Sequence, residues 1–170
     1  TNFFPEVECE FNPEANLEEF LFSSANVKKN VEKQAYDIAA KVAEKFGIVG
    51  ILAVEMFVTK DGKVLVNEVA PRPHNSGHQT IEGNYTSQFE QHLRAILNLP
   101  LGETAITKPS VMINLLGEKG HEGPAKYEGL TDAVKYKGVY VHLYGKTTTK
   151  SFRKMGHVTV VDDDLSLAKK

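Results

Sequence analysis

Two glutamates and one stiffened cationic segment carry the chemistry that this sequence could perform. Glu55 lies in GILAVEMFV and Glu68 in KVLVNEV, two alternating apolar runs joined through Asp61-Gly62. An Asp-Gly pair in that setting predicts a two-residue hairpin turn with both turn residues at positive φ. Lys60 then pairs with Lys63, and counting outward sets Glu55 opposite Glu68. Strand alternation adds Ile51, Ala53, Phe57 and Thr59 to the Glu55 face, and Val64 and Val66 to the Glu68 face. Like charges ~4 Å apart repel by about 4 kcal/mol at an effective dielectric near ~20, so something positive must stand between the carboxylates. Magnesium suits that place, because it takes oxygen ligands and fills its shell with water and nucleotide phosphates. A lysine or Arg72 would also neutralise the pair, and a solvent-exposed face would relax the demand. Asn67 points to the other face of a regular strand, yet joins the pair if the strand end twists. A different turn length would break the pairing.

The second strand runs directly into NEVAPRPHNSGH, residues 67–78. Pro71 and Pro73 fix their own φ and push their neighbours toward extended backbone, so Arg72 and His74 leave the strand at set positions. A rigid guanidinium matches a planar oxyanion such as carboxylate, bicarbonate or phosphate. His74 can donate to the same anion or move a proton near neutrality. Asn75, Ser76 and Gly77 predict a turn whose amides face a ligand. Zinc at His74 and His78 is disfavoured: Asn-Ser-Gly between them argues against a helix, and the glutamate of an HExxH motif is missing. A purely structural role for this rigid loop stays open at this point.

A third group lies near the end. GKTTTKSFRKMGH places Lys146, Lys150, Arg153 and Lys154 among threonines between two strand-like runs. Such donors suit a phosphate monoester, and a solvated basic loop is the plainer alternative. GEKGHEG lacks the glycine-lysine-serine/threonine ending of a phosphate loop and reads as a surface loop. No Ser-His-Asp arrangement stands out, and aromatic-basic interleaving is too sparse for nucleic acid.

These groups need elements to hold them. FFPEVECEF predicts a first strand, ended by Asn12-Pro13. Val27, Val31, Ala35, Ile38, Ala39, Val42 and Phe46 recur at helical spacing, and Gly47 supplies the stop. A second helix is predicted from Ser87 to Leu97. Ser87 with Glu90 forms a capping box, Phe89, Leu93, Ile96 and Leu97 line one face, and Pro100 ends it. Beyond Gly102 the runs SVMINLL, GVYVHLYG and HVTVV, with a short helical piece near Leu130 to Tyr136, predict a small sheet-rich unit. The division falls near residues 102–108, giving units of 1–104 and 105–170.

Composition sets the remaining bounds. The 170 residues are 41% hydrophobic and 25% charged, an ordinary globular balance. A formal net charge of -2 gives no bulk attraction to nucleic acid or to an anionic membrane, so any anion binding must be local. No apolar run reaches the ~20 residues of a membrane span. The lone cysteine, Cys9, alternates with Val7 and Phe11 in the first predicted strand, as a buried structural thiol would, and fits a reducing cytosol. The start at Thr1 and the close at DDDLSLAKK, the first turn of a helix, both read as cuts inside a longer protein.

The run from AVEMFV through NEVAPRPHNSGHQT to SQFEQHLRAILNLPLG resembles the carboxyaminoimidazole ribonucleotide synthase family of ATP-grasp enzymes. APRPHNSGH followed by SQFEQHLRAI is its specific part. The formate-dependent glycinamide ribonucleotide transformylases share Pro-Arg-Pro-His but continue Asp-Thr-Gly-Met, where this chain has Asn75, Ser76, Gly77 and His78. The resemblance implies an α+β fold: the C-terminal part of an ATP-grasp domain, with an antiparallel sheet and packed helices, plus a small sheet-rich C-terminal domain. It implies ATP and Mg2+ as cofactors, with Glu55 and Glu68 holding the metal on the ATP phosphates and Asn67 beside them. Arg72 and His74 fall where bicarbonate is phosphorylated to carboxyphosphate, and Asn75 and Ser76 border that pocket. Lys146, Arg153 and Lys154 fall on the 5′-phosphate of aminoimidazole ribonucleotide, with weaker support for Lys150. A cytoplasmic homodimer in purine biosynthesis follows from the same resemblance, inactive as this fragment alone. Another ATP-grasp ligase, such as the transformylase, and a non-catalytic module of the same fold are the alternatives.

Overall fold

In chain order the elements are β1 (Glu8–Asn12), β2 (Leu17–Ser23), α1 (Lys29–Phe46), β3 (Ala53–Val58), β4 (Val64–Ala70), a 3-10 turn (Asn75–Gly77), α2 (Thr80–Gly83) and α3 (Gln88–Ile96). They continue with β5 (Ser110–Leu116), β6 (Gly123–Pro124), α4 (Leu130–Ala133), β7 (Val139–Leu143), β8 (Thr148–Thr149), β9 (Lys154–Val161) and α5 (Leu165–Ala168). The computed structural model describes residues 1–14 and 17–169, so Lys170 at the end of the second expected unit lies outside the described residues. Every strand pairing is antiparallel and helices accompany the sheets, which is the α+β class expected.

The contacts do not follow a single cut near residue 104. One unit holds Thr1–Glu6 and Ser24–Thr107, and the other holds Val7–Ser23 and Lys108–Lys170. The reason is β2, an element the sequence reading passed over. It forms a hairpin with β1 and pairs with β5, Leu21 facing Met112, so the sheet order is β1-β2-β5-β9-β7. Leu21 and Met112 are fully buried, with Val111 and Met155 beside them in the core. Glu18 interrupts the apolar pattern of LEEFLFS although it is itself buried.

In the first unit α1 forms where its spacing predicts. Gly47 at φ 60 returns its N–H to Ala43 and Glu44, closing the helix in the left-handed conformation that glycine adopts without a Cβ clash. Tyr36 on α1 donates to Glu6 at 2.7 Å and packs on Phe3, and burial pushes its hydroxyl pKa up. Gln34 donates to the Gly62 carbonyl at 3.2 Å, which ties α1 to the β3–β4 turn.

The orientation of α3 departs from expectation. Ser87 caps it, accepting from the Glu90 N–H at 3.2 Å, while the Glu90 carboxylate pairs with Arg94 rather than reaching back. Phe89, Leu93, Ile96 and Leu97 do share a side, but they are 40%, 54%, 48% and 63% exposed. Gln88 and Gln91 are the buried ones. Buried amides must find partners, and here they find main chain. Gln91 accepts from the Gly102 N–H at 2.8 Å and donates to its carbonyl at 3.0 Å, and His92 Nδ1 accepts from the Ile51 N–H at 3.1 Å. The helix therefore serves as a polar clamp on neighbouring loops.

Leu21→Ala should destabilise the second unit by about 3 kcal/mol, the usual cost of a large-to-small change in a packed core. Urea titration followed by amide exchange should place the loss in β2, β5 and β9 and leave α1 and α3 protected.

Candidate functional site

The β3–β4 hairpin sets Glu55 against Glu68, as expected, but by a different route. The turn is one residue longer than predicted. Thr59 and Lys63 close it, with the Thr59 N–H on the Lys63 carbonyl at 2.9 Å, and Gly62 at φ 81 is the turn's one positive-φ residue. The Thr59 hydroxyl favours this wider loop, accepting from the Lys63 N–H at 3.0 Å and donating to the Asp61 carboxylate at 2.5 Å. Thr59 and Lys63 hold that carboxyl below its ordinary pKa. A three-residue loop alone would set Asn67, not Glu68, against Glu55. The ladder instead slips between Glu55 and Met56: Met56 pairs with Val66, Phe57 with Leu65 and Val58 with Val64, and Asn67 is the extra residue of a bulge. Val64 and Val66 consequently share the Met56 face and not the Glu68 face, and Leu65 takes their expected place beside Phe57. At the bulge the exposed Asn67 amide donates to Glu55 at 3.5 Å.

The group near both carboxylates is the imidazole of His74. Its Nδ1 stands 3.5 Å from Glu55 and its Nε2 3.6 Å from Glu68. The His74 side chain is 12% exposed, Glu55 20% and Glu68 54%. Nδ1 also meets the Ser76 hydroxyl at 2.9 Å and accepts from the Ser76 N–H, which makes His74 the cap of its own 3-10 turn. Arg72 is exposed and donates to the Pro73 carbonyl at 3.1 Å, leaving most of its guanidinium donors turned to solvent. Asn75 and Ser76 are half-buried in the turn that follows.

Sequence reasoning missed the residue that fastens this segment. Gln88 is 3% exposed. It accepts from the His74 N–H and donates to the His74 carbonyl, both at 2.8 Å, and its Nε2 lies 2.9 Å from His78 Nδ1. Thr80 completes the network, donating to the Gly77 carbonyl at 2.6 Å and accepting from the Gln88 N–H at 2.8 Å. The available signal was a polar stripe of Gln88, Gln91 and His92 on a helix whose other side is apolar.

In the second unit the basic loop is organised by its own main chain. Lys146 donates to the Lys154 carbonyl and lies over the Tyr144 ring. Arg153 donates to the Thr148 carbonyl at 2.9 Å and to its hydroxyl at 3.2 Å. Lys146, Arg153 and Lys154 thus belong to one hairpin end, while Lys150 is exposed beside Ser151 and the Gly120–Glu122 loop. GEKGHEG is mostly exposed, the surface loop expected.

Two carboxylates and an amide of the β3–β4 hairpin thus stand beside the imidazole of the segment that follows it. The model of the ATP-grasp domain matches residues 1–89 of the 170. The chain belongs to the ATP-grasp family. The last part of this ATP-grasp chain, residues 110–170, matches the phosphoribosylaminoimidazole carboxylase C-terminal domain. Over 142 residues it is 50% identical to the N5-carboxyaminoimidazole ribonucleotide synthase of Bacillus subtilis, covering 82% of this chain and 36% of that one. It is similar to the N5-carboxyaminoimidazole ribonucleotide synthetase of Thermotoga maritima, with a TM-score of 0.86 and 48% identity over 98% of this chain and 44% of that one. A carboxyaminoimidazole synthase from Aspergillus clavatus, solved with ADP and 5-aminoimidazole ribonucleotide, has a TM-score of 0.86 and 35% identity over 98% and 44% of the two chains. This ATP-grasp chain therefore spans about a third to under a half of the length of these relatives.

Two glycines near the site should respond to alanine for different reasons. Gly62→Ala has open space around its Cβ and a positive φ, so it should cost about 1 kcal/mol through backbone strain alone. Gly77→Ala would set its Cβ 2.5 Å from Gln88 Oε1, so it should cost about 1–3 kcal/mol through overpacking. Urea denaturation of both variants checks the ranking.

Proposed function

We propose that this chain supplies the metal-holding and oxyanion-holding side chains, and a substrate-phosphate loop, of an ATP-dependent carboxylase acting on 5-aminoimidazole ribonucleotide. The reading rests on one observation above the rest: Glu55 and Glu68 are register partners with His74 near both, in an ATP-grasp chain. The relatives' names supply the substrate.

Among the described residues no group of three or more His, Cys, Asp or Glu side chains has metal-holding geometry. A carboxylate pair is nevertheless what magnesium requires, since it commonly takes one or two carboxylates and leaves its other positions to phosphates and water. Glu55 and Glu68, with Asn67 beside them, would hold it. When bound, magnesium offsets charge on the phosphates of ATP.

In this reading a bicarbonate oxygen takes the γ-phosphoryl group of ATP, giving carboxyphosphate and ADP. The exocyclic amine of the ribonucleotide then attacks the carboxyl carbon, or the CO2 released from it, losing a proton as phosphate departs. Arg72, turned to solvent on a proline-stiffened exit, presents a planar donor fork to the bicarbonate or carboxyphosphate oxygens. His74, held by Ser76, donates to the same anion or takes the amine proton. Asn75 and Ser76 border the anion with turn amides and a hydroxyl. Lys146, Arg153 and Lys154 receive the 5′-phosphate, with Lys146 and Arg153 placed by their hydrogen bonds to the Lys154 and Thr148 carbonyls. A cytoplasmic homodimer completes the reading; the compartment is supported by a single cysteine, Cys9, which cannot form a disulfide within the chain, and the dimer by the family resemblance.

Phosphate release by the full-length protein with MgATP tests this directly. Release should require bicarbonate and aminoimidazole ribonucleotide together, and Glu68→Gln should lower it by about 100-fold or more, as removal of a transition-state charge partner does. Stimulation only by formate with glycinamide ribonucleotide would overturn the substrate. In the same assay Arg153→Ala should raise KM for aminoimidazole ribonucleotide by about 10-fold, the loss of one charge-assisted hydrogen bond, with kcat little changed.

A further inference from the structure

The geometry points to Gln88 as the positioning residue that sets His74 at the Glu55–Glu68 pair, acting through main-chain hydrogen bonds. The inference rests on the reading above only for its activity readout. Four observations carry it.

First, Gln88 meets His74 as a neighbouring strand would. Its Oε1 takes the His74 N–H and its Nε2 gives to the His74 carbonyl, each at 2.8 Å. Both groups lie at the residue whose ring faces the carboxylates. Among the described residues no strand pairs with this segment, so the glutamine amide replaces a ladder partner.

Second, the clamp has its own fit. Gly77 lies so close beneath the Gln88 amide that a Cβ there would stand 2.5 Å from Oε1. The glycine is needed for space, since its φ is not positive.

Third, Gln88 is itself fixed. It is buried at the first position of α3, its N–H is held by Thr80, and its Nε2 also meets His78 Nδ1. The His78 ring stacks on Phe89, the next residue of α3. A side chain with little rotamer freedom transmits position, whereas a mobile one would not.

Fourth, once the His74 main chain is set, its ring has one local anchor. Ser76 meets Nδ1 at 2.9 Å, and the ring then stands between the carboxylates at 3.5 and 3.6 Å. Misplacing a reacting group by ~1 Å costs about 100-fold in rate, so a clamp on the His74 main chain should be visible in turnover.

The structure supplies its own control. Gln91 is equally buried at 4%, lies on the same helix and makes the same pair of hydrogen bonds to one main-chain residue, but its target is Gly102 rather than His74. Gln91→Ala removes the partners of the Gly102 N–H and carbonyl, and Gln88→Ala removes the partner of the His74 N–H while the His74 carbonyl keeps the Gly77 N–H at 3.0 Å, so both should lower the melting temperature. Only Gln88→Ala should lower kcat, by about 100-fold, while Gln91→Ala stays within about 3-fold of the parent. Gln88→Glu keeps the acceptor for the His74 N–H and should fall between.

The experiment compares the parent and these variants in the full-length protein, with kcat, KM for bicarbonate, melting temperature and the His74 ring signals in NMR. The NMR readout needs no turnover, so a parent without bicarbonate-dependent activity would overturn the proposed reaction and leave the clamp to be decided by the ring signals alone. Shifted or broadened His74 signals in Gln88→Ala and unchanged ones in Gln91→Ala support the positioning role. Unchanged signals in Gln88→Ala, or equal loss of kcat in both alanine variants, would overturn it.

Discussion

One extra residue in β4 decides where the charges fall. With the three-residue turn closed by Thr59 and Lys63, a regular ladder would carry Glu68 past Glu55 and onto the opposite face. The bulge at Asn67 returns it. Every other feature of the first-unit site, the reach of Asn67 and the seat of His74 included, depends on that slip. A bulge also strengthens local twist and bends the strand, which suits a strand that must pass straight into the Pro71–Pro73 exit.

The pairing of Glu55 with Glu68 was legible in the sequence, though through two errors that cancel. Asp61-Gly62 advertises a two-residue turn, but the Thr59 side chain binds Lys63 and Asp61 and favours a longer one. The bulge then restores the register that the longer turn would have lost. Neither event has a strong local signal, because a threonine before a turn and an asparagine near a strand end are both common. α1 and the cap of α3 were legible for the opposite reason: periodicity, Gly47 and Ser87 all act within a few residues of one another.

What the sequence concealed was burial. Apolar periodicity placed Phe89, Leu93, Ile96 and Leu97 on one face of α3, and the structure leaves that face exposed and turns Gln88 and Gln91 inward. Periodicity reports which residues share a side, not which side is covered. In this unit the covered side is occupied by loops whose main-chain groups require partners, and glutamine amides satisfy a donor and an acceptor at once. β2 was hidden in a similar way. Glu18 breaks its apolar pattern, and its partner β5 lies far along the chain, beyond any local signal.

The position of β2 also orders events during synthesis. The strand is made before the residues it pairs with, Ser110–Ile113, which come only after the whole Ser24–Thr107 stretch has been translated. Until then the β1–β2 hairpin carries Leu21 with no core to receive it, and an open strand edge that invites foreign pairing. Folding of the intervening unit shortens the effective loop that must close before β2 meets β5, because a folded insertion behaves as a short link and not as a long flexible one. A polypeptide released between residues 107 and 110 would retain the β1–β2 hairpin without its β5 partner, an open edge prone to aggregation.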